Sequence, residues 1–190
     1  MTARQRGKIR SQLEKHRKRD ELIAIRREPL DPSWTLAFVV GLGDELMLLR
    51  DVSDLWPDGF KVVRIRDVSR IARRAGEKWC QHMLSSERLV KTKKPPFHVE
   101  LAGWKSAAES ISRHVSCLII EDENPDDDRF VLGNVRRLGV KALSIRPLEP
   151  SGIWALDDVT FPYPRITAVT FDDRYSRLFG KYAPSSESRK

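Results

Sequence analysis

The sequence predicts a mainly β chain with short helices: two tandem small SH3-like or Sm-like β-barrels, joined by a helical connector. Three observations predict it. The stretches Leu22–Ile71 and Leu118–Val169 carry the same succession of apolar runs and turns. The runs are short and rich in β-branched and aromatic residues, which marks strands and not helices. The 190 residues are 40% hydrophobic, enough for one large or two small domains.

The two copies align element by element. Leu22-Ile23-Ala24-Ile25 opens the first and Cys117-Leu118-Ile119-Ile120 the second. A polar, proline-containing loop follows in each, and Asn124-Pro125-Asp126-Asp127 has turn chemistry, with Asn and Asp capping their own backbone and Pro fixing φ. Trp34–Val39 then matches Phe130–Val135, Leu42-Gly43 matches Leu138-Gly139, and Leu46–Arg50 matches Ala142–Arg146. Ala37 and Gly133 fall where a small barrel bends most sharply. At the close, Val63, Ile65, Val68 and Ile71 correspond to Phe161, Tyr163, Ile166 and Val169. Four or five such strands are too few for a sandwich and suit a small bent barrel. Repeats of this kind decide the fold, so they are read first.

The chain divides accordingly. Residues 1–20 form a basic helix or arm, with Ile9 and Leu13 at helical spacing. The first barrel spans 21–75. A helical connector spans 76–113, with a proline break at 95–96. Before the break, Trp79, Met83 and Val90 are expected to line one helix face; after it, Trp104, Ala108 and Ile111 line another. The second barrel spans 114–175. Residues 176–190 form a turn studded with Leu178, Phe179 and Tyr182, then a tail. Pro162 and Pro164 alternate in the expected strand Thr160–Arg165, and a side without N–H groups cannot complete a ladder. That edge is expected to be exposed or irregular, closed to an open-ended ring of copies. Arg64 and Arg66 stand at the matching places in the first copy, so its edge can pair.

The charge is +8 and uneven. Basic residues crowd the first twenty positions and the stretch 61–94, whereas Glu121–Asp128 is acidic. Such asymmetry points to an anionic partner for the first half, or to docking of the acidic loop on the basic half. The candidate phosphate-binding residues are Arg64, Arg66, Arg70, Arg73, Arg74, Lys91, Lys93 and Lys94, with Arg64 and Arg66 read as alternating on one strand face. Trp34, Trp56 and Phe60 are candidates to stack on bases. Lysine and arginine contacts to phosphate give affinity without sequence choice. The expected partner is a nucleic acid, RNA first, or an acidic protein. The runner-up reading is a protein-interaction scaffold working through β-edges.

Enzymatic chemistry finds no motif. Cys80-Gln81-His82 on a helix splays its Cys and His by about 200°, poor for chelation, so no metal site is expected. Gly41-Leu42-Gly43 is followed by Asp44 and reads as a β-turn, not a phosphate cradle. The adjacent pairs Asp157-Asp158 and Asp172-Asp173 point to opposite faces on a strand and make no acid–base dyad. The expectation is a non-enzyme with no catalytic residue and no cofactor. Two cysteines, no apolar run of about eighteen residues and a charged N-terminus are read as a cytoplasmic protein without membrane span or signal peptide.

Residues 97–182 resemble an uncharacterised bacterial protein family. The likeness rests on Leu101, Trp104, Ile119-Ile120-Glu121, Leu132-Gly133 and Gly152-Ile153-Trp154. It is most specific at Tyr163-Pro164-Arg165-Ile166-Thr167-Ala168-Val169 and Phe171-Asp172-Asp173-Arg174-Tyr175, with Tyr182 beyond. It brings no activity, cofactor or site residue. Both copies are loosely similar to Sm-like proteins, which bind RNA as rings. Leu132-Gly133-Asn134-Val135 and Leu143-Ser144-Ile145 approximate the first part of their pattern. Their short Arg-Gly signature is missing: Ile65-Arg66-Asp67-Val68 and Pro164-Arg165-Ile166 stand there, which speaks against Sm-type base recognition.

Overall fold

Most of the β-branched runs named above become strands; the second strand, Asp31–Leu42, runs through Pro32 and Gly41-Leu42, so the turn expected at Gly41-Leu42-Gly43 begins only at Gly43, whose N–H donates to Leu46 O at 2.8 Å. The computed structural model describes residues 3–90, 94–124 and 126–184. The first half consists of α1 (Ala3–Lys18), β1 (Leu22–Arg27), β2 (Asp31–Leu42), β3 (Leu46–Ser53), β4 (Trp56–Arg64), a 3-10 turn (Ile65–Asp67), β5 (Arg70–Ala72) and α2 (Ala75–Ser86). The second consists of α3 (Trp104–Ser112), β6 (Leu118–Asp122), β7 (Arg129–Leu138), β8 (Ala142–Pro147), β9 (Val159–Pro162), a 3-10 turn (Tyr163–Arg165), β10 (Ala168–Phe171) and α4 (Arg174–Tyr182).

Among the described residues the strands form one antiparallel sheet of ten, in the order β5-β1-β2-β3-β4-β10-β6-β7-β8-β9. The sequence predicts two separate barrels; the structure instead joins both halves in one sheet that is not a closed barrel. The seam is β4 against β10, with Val63 opposite Ala168, Val62 opposite Val169, Lys61 opposite Thr170 and Phe60 opposite Phe171. The seam exists because the β4 segment Gly59–Arg64 holds no proline and keeps its donors. The matching strand β9 ends in Pro162 and lies at the sheet edge.

The halves share strand order and register. Ile23 lies opposite Ala37 and Leu118 opposite Gly133; Ala24 lies opposite Leu36 and Ile119 opposite Leu132. Register shifts fall between Val39 and Gly41 in β2 and between Val135 and Arg137 in β7. Such bulges increase local twist and bend the strand. A hydroxyl clip also recurs. Ser69 Oγ donates to Arg26 O at 3.0 Å and accepts from Glu28 N–H at 3.2 Å. Thr167 Oγ1 donates to Glu121 O at 3.1 Å and accepts from Glu123 N–H at 3.1 Å.

The sheet curls strongly. Arg27, at the end of β1, donates to both carboxylate oxygens of Glu123, just past β6, at 2.7 and 2.6 Å. Four strands lie between β1 and β6 in the sheet. In a flat sheet the two strands would be roughly 24 Å apart, at about 4.8 Å per strand.

Curling gives each half a concave core that its leading helix covers. Ile9 and Leu13 of α1 pack on Ile23, Ile25, Val39 and Met47. Trp104, Ala108 and Ile111 of α3 pack with Leu118, Ile120, Leu143 and Phe161, as their spacing predicts. Leu46, Leu48, Phe60 and Val62 enter this second core as well, so β3 and β4 are buried on both faces. Phe60 and Phe171 stack across the seam at 5.4 Å. The trailing helices cover the other face. Cys80 and Leu84 of α2 meet Leu22 and Phe38, and Phe179 of α4 meets Cys117 and Leu132.

Several local expectations are corrected. The buried positions of α2 are Glu77, Cys80 and Leu84, and Trp79 is 62% exposed. These three share one helical face, turned toward β1 and β2, and Trp79 falls outside it. Glu77 tolerates burial because its carboxylate accepts from Arg74 N–H at 2.5 Å at the helix start. The strand expected over Thr160–Arg165 stops at Pro162, where the 3-10 turn begins. Of the helix or arm expected over residues 1–20, the helix is found over Ala3–Lys18, while the turn expected from residue 176 is instead part of α4 as far as Tyr182, with 185–190 outside the described residues. Gly133 stands at a close approach: a Cβ there would lie 2.0 Å from Arg146 O.

Candidate nucleic-acid interface

The six described cationic candidates do not form one surface. Arg64 ends β4 and is only 8% exposed. Its Nη2 donates to Tyr163 O at 3.2 Å and Pro164 O at 2.6 Å, and its guanidinium lies 5.7 Å from the Trp104 ring. Arg64 therefore clamps the two halves together with its donors turned to those carbonyls, and it also lines the hollow shared by Arg6, Arg10 and Arg66. Burial lowers its pKa, against the pull of Asp67. Burial also pushes the Asp67 carboxyl up, against the pull of Arg64 and Arg66.

Arg66 lies in the 3-10 turn, so it does not alternate with Arg64 along a strand. It is exposed, with Nε 3.8 Å from Asp67 Oδ1. Arg70 is exposed and stands opposite Arg26 across the β5–β1 ladder. Arg73 is half-buried; its Nη2 donates to Gln81 Oε1 at 3.0 Å and its Nε is 3.4 Å from Glu21. Arg74 is exposed, closes the capping box of α2 with Glu77, and lies 5.0 Å from the Trp34 ring. Lys94 is exposed and lines a groove with Phe97 and His98. Lys91 and Lys93 lie outside the described residues.

Two basic clusters emerge. In the first, Arg6 and Arg10 of α1 meet Arg66 around a hollow of about 180 Å³. Asp44 and Glu45 also line it, and Arg10 Nη1 is committed to Gly43 O at 2.6 Å. In the second, Arg26 and Arg74 flank Trp34 at 5.7 and 5.0 Å, with Arg70 beside Arg26. Of the three stacking candidates, Trp34 is 37% and Trp56 60% exposed, whereas Phe60 is 2% exposed and belongs to the seam. Sequence reasoning brought in the basic N-terminal arm as a whole without singling out Arg6 and Arg10, and it left Arg26 out of the site. Arg6 and Arg10 carry a signal, since four residues apart on a helix they share a face. Arg26 carries none, because its neighbours Trp34 and Arg74 arrive from other elements.

The acidic stretch does dock on the first half. Glu123 binds Arg27, and Glu121 Oε2 lies 3.3 Å from Lys61 Nζ. Burial opposes ionisation of Glu123, but the Arg27 hydrogen bonds and charge outweigh it and leave its carboxyl below the usual range. Arg165 holds Asp122 and Asp127 at 2.5 and 2.9 Å. None of these pairs consumes an arginine of either cluster.

The remaining motifs are accounted for structurally. Asp173 caps α4, its carboxylate accepting from Tyr175 and Ser176 N–H, so the Asp172-Asp173 pair serves a helix start. Cys80 and Cys117 are buried free thiols, and burial pushes Cys117 up to about 11. No group of three or more His, Cys, Asp or Glu able to hold a metal ion occurs among the described residues. No helix among them is long and apolar enough to cross a membrane. Both clusters can hold phosphate groups by charge, and the second sets two guanidiniums over a partly exposed tryptophan ring. No protein-family model, curated protein or solved structure matches this chain.

Proposed function

We propose that this chain is a non-enzymatic binding module for an anionic polymer, RNA first, built from two Sm-like units of which the first carries the ligand surface. Support for the units comes from the common order of elements: a helix before the first strand, a bulged second strand, a 3-10 turn before the last, and a matching register shift between the second and third strands. The observation that carries the ligand reading is the convergence of Arg6, Arg10 and Arg66 from α1 and the 3-10 turn on one hollow. The Trp34 cluster supplies an aromatic face beside further cations. Two buried free thiols fit a reducing, cytoplasmic setting.

The test is a filter-binding titration with a single-stranded RNA across a salt series. Affinity falls steeply with salt, and Arg6→Glu or Arg66→Glu each lowers the log–log slope by about 0.7. Trp34→Ala weakens binding by about 1–3 kcal/mol. Absence of salt-sensitive binding removes the reading. A second reading, a protein-interaction role through sheet edges, is favoured by one observation: β5 ends the sheet, and among the described residues its outer edge has no strand partner.

A further inference from the structure

We propose that the outer backbone edge of β5 is a docking site for an extended acidic segment of a partner protein, which joins the sheet as an added strand. The proposal deepens the sheet-edge reading and shares Arg26, Arg70 and Arg74 with the Trp34 cluster, so the test uses a peptide alone, without RNA. The chain itself contains the template. β10 takes the place in the second half that β5 takes in the first: Val169 lies opposite Ile120, and Ile71 opposite Ile25. The other edge of β10 is filled by β4, whereas among the described residues no strand pairs with the corresponding edge of β5.

The helix that follows the strand does not obstruct such an edge. α4 follows β10 as α2 follows β5, and the start of α4 takes part in the seam: Arg174 N–H donates to Asp58 Oδ1 at 2.7 Å. The next residue, Gly59, has φ +70°, and a Cβ there would lie 2.4 Å from Asp173 N. The template therefore reads carboxylate, glycine, then alternating apolar residues, as in Asp58-Gly59-Phe60-Lys61-Val62. Strand addition of this kind takes affinity from the main chain and specificity from alternate side chains.

One position of the template must change sign. Lys61 reaches across β10 to Glu121 of β6, 3.3 Å away. Glu121 lies opposite Ala168 as Arg26 lies opposite Arg70, so Arg26 holds the place of Glu121 in the first half. An occupant of β5 meets arginine where β4 meets glutamate, with the exposed Arg70 and Arg74 beside it. It therefore carries Asp or Glu where β4 carries Lys61.

A second copy of this chain does not supply that strand. β9 corresponds to β4, since Val159 lies opposite Ile145 as Lys61 lies opposite Leu49. It places valine where the acid is required. It spans four residues against nine in β4. It ends in Pro162 where β4 has the clamping Arg64. Short edge strands and edge prolines are established defences against pairing.

The test uses a labelled peptide copying Pro57–Arg64 with Lys61 replaced by Glu, titrated against the full-length protein by fluorescence anisotropy. The unaltered sequence is the control. The Glu peptide binds about tenfold more tightly than the Lys peptide, and Arg26→Glu reverses the preference. Hydrogen exchange locates the contact: the Glu peptide slows amide exchange within Arg70–Ala72 and leaves β9 unchanged. Failure of the peptides to bind the native protein, equal affinities, or protection elsewhere overturns the proposal. A concentration-dependent dimer lost on Thr160→Pro overturns the choice of partner and puts a second copy on the edge.

Discussion

Replacing Glu123 by leucine removes the carboxylate that holds Arg27. Arg27 is 3% exposed, donates two hydrogen bonds of 2.7 and 2.6 Å to Glu123, and has Asp31 at 3.8 Å. Breaking a buried pair from one side costs about 3–5 kcal/mol, because the remaining charge stays out of water without compensation. Asp31 retains part of that compensation, which places the expected loss near the lower end, about 3 kcal/mol. For a chain of this size the loss lowers Tm by roughly 6–12 °C. Urea unfolding of Glu123→Leu, Arg27→Met and the double variant measures it. The double variant recovers most of the loss, since both charges are gone and two apolar side chains fill the volume. A Glu123→Leu protein within about 0.5 kcal/mol of the parent would refute the reasoning. It would mean that β1 and β6 are not brought together and that the sheet does not curl.

Three further outcomes are expected. Because Arg27 holds the Glu123 carboxyl below its ordinary value, its contribution to stability is present above the unfolded pKa of about 4.3 and is lost as pH falls through the folded value. Unfolding midpoints measured from pH 6 downward therefore drop less steeply, by comparison with the parent, in Glu123→Leu. Gly133→Ala sets a Cβ against Arg146 O at 2.0 Å in the β7–β8 ladder, and it lowers stability by about 1–3 kcal/mol in the same assay. Cys117 is buried with its thiol raised to about 11, so a disulfide reagent at pH 8 labels it only after denaturation; rapid labelling of the native protein contradicts the packing of α4.

Much of the fold was legible because it is written in local pattern. The strand runs, the inward face of Trp104, Ala108 and Ile111, and the buried pair Ile9 and Leu13 all follow from periodicity. Leu36 and Leu132 fall at like places in the ladders, opposite Ala24 and Ile119. The seam was half legible: the contrast between Arg64 and Pro162 says which edge can pair, but nothing local says that β4 meets β10. That contact joins segments about a hundred residues apart and merges two expected barrels into one sheet.

The candidate site was the least legible part. Residue type places arginine at the surface, yet Arg64 is buried because the carbonyls of Tyr163 and Pro164 receive its donors. Phe60 is read from the sequence as an aromatic that could stack on bases. It is buried because β4 is covered on both faces, which only the second half provides. Arg26 and Arg74 meet at Trp34 through β1 and the start of α2, a convergence that requires the fold.

The β4–β10 seam is where the single-sheet architecture is most exposed to test. Residue-resolved amide hydrogen exchange on the full chain measures it directly. If the halves form one curled sheet, amides of Phe60–Val63 and Ala168–Phe171 exchange as slowly as those of the β1–β2 and β6–β7 ladders, and they open together with them. Rapid exchange along the seam, with both halves still protected, would instead describe two independent barrels lying side by side.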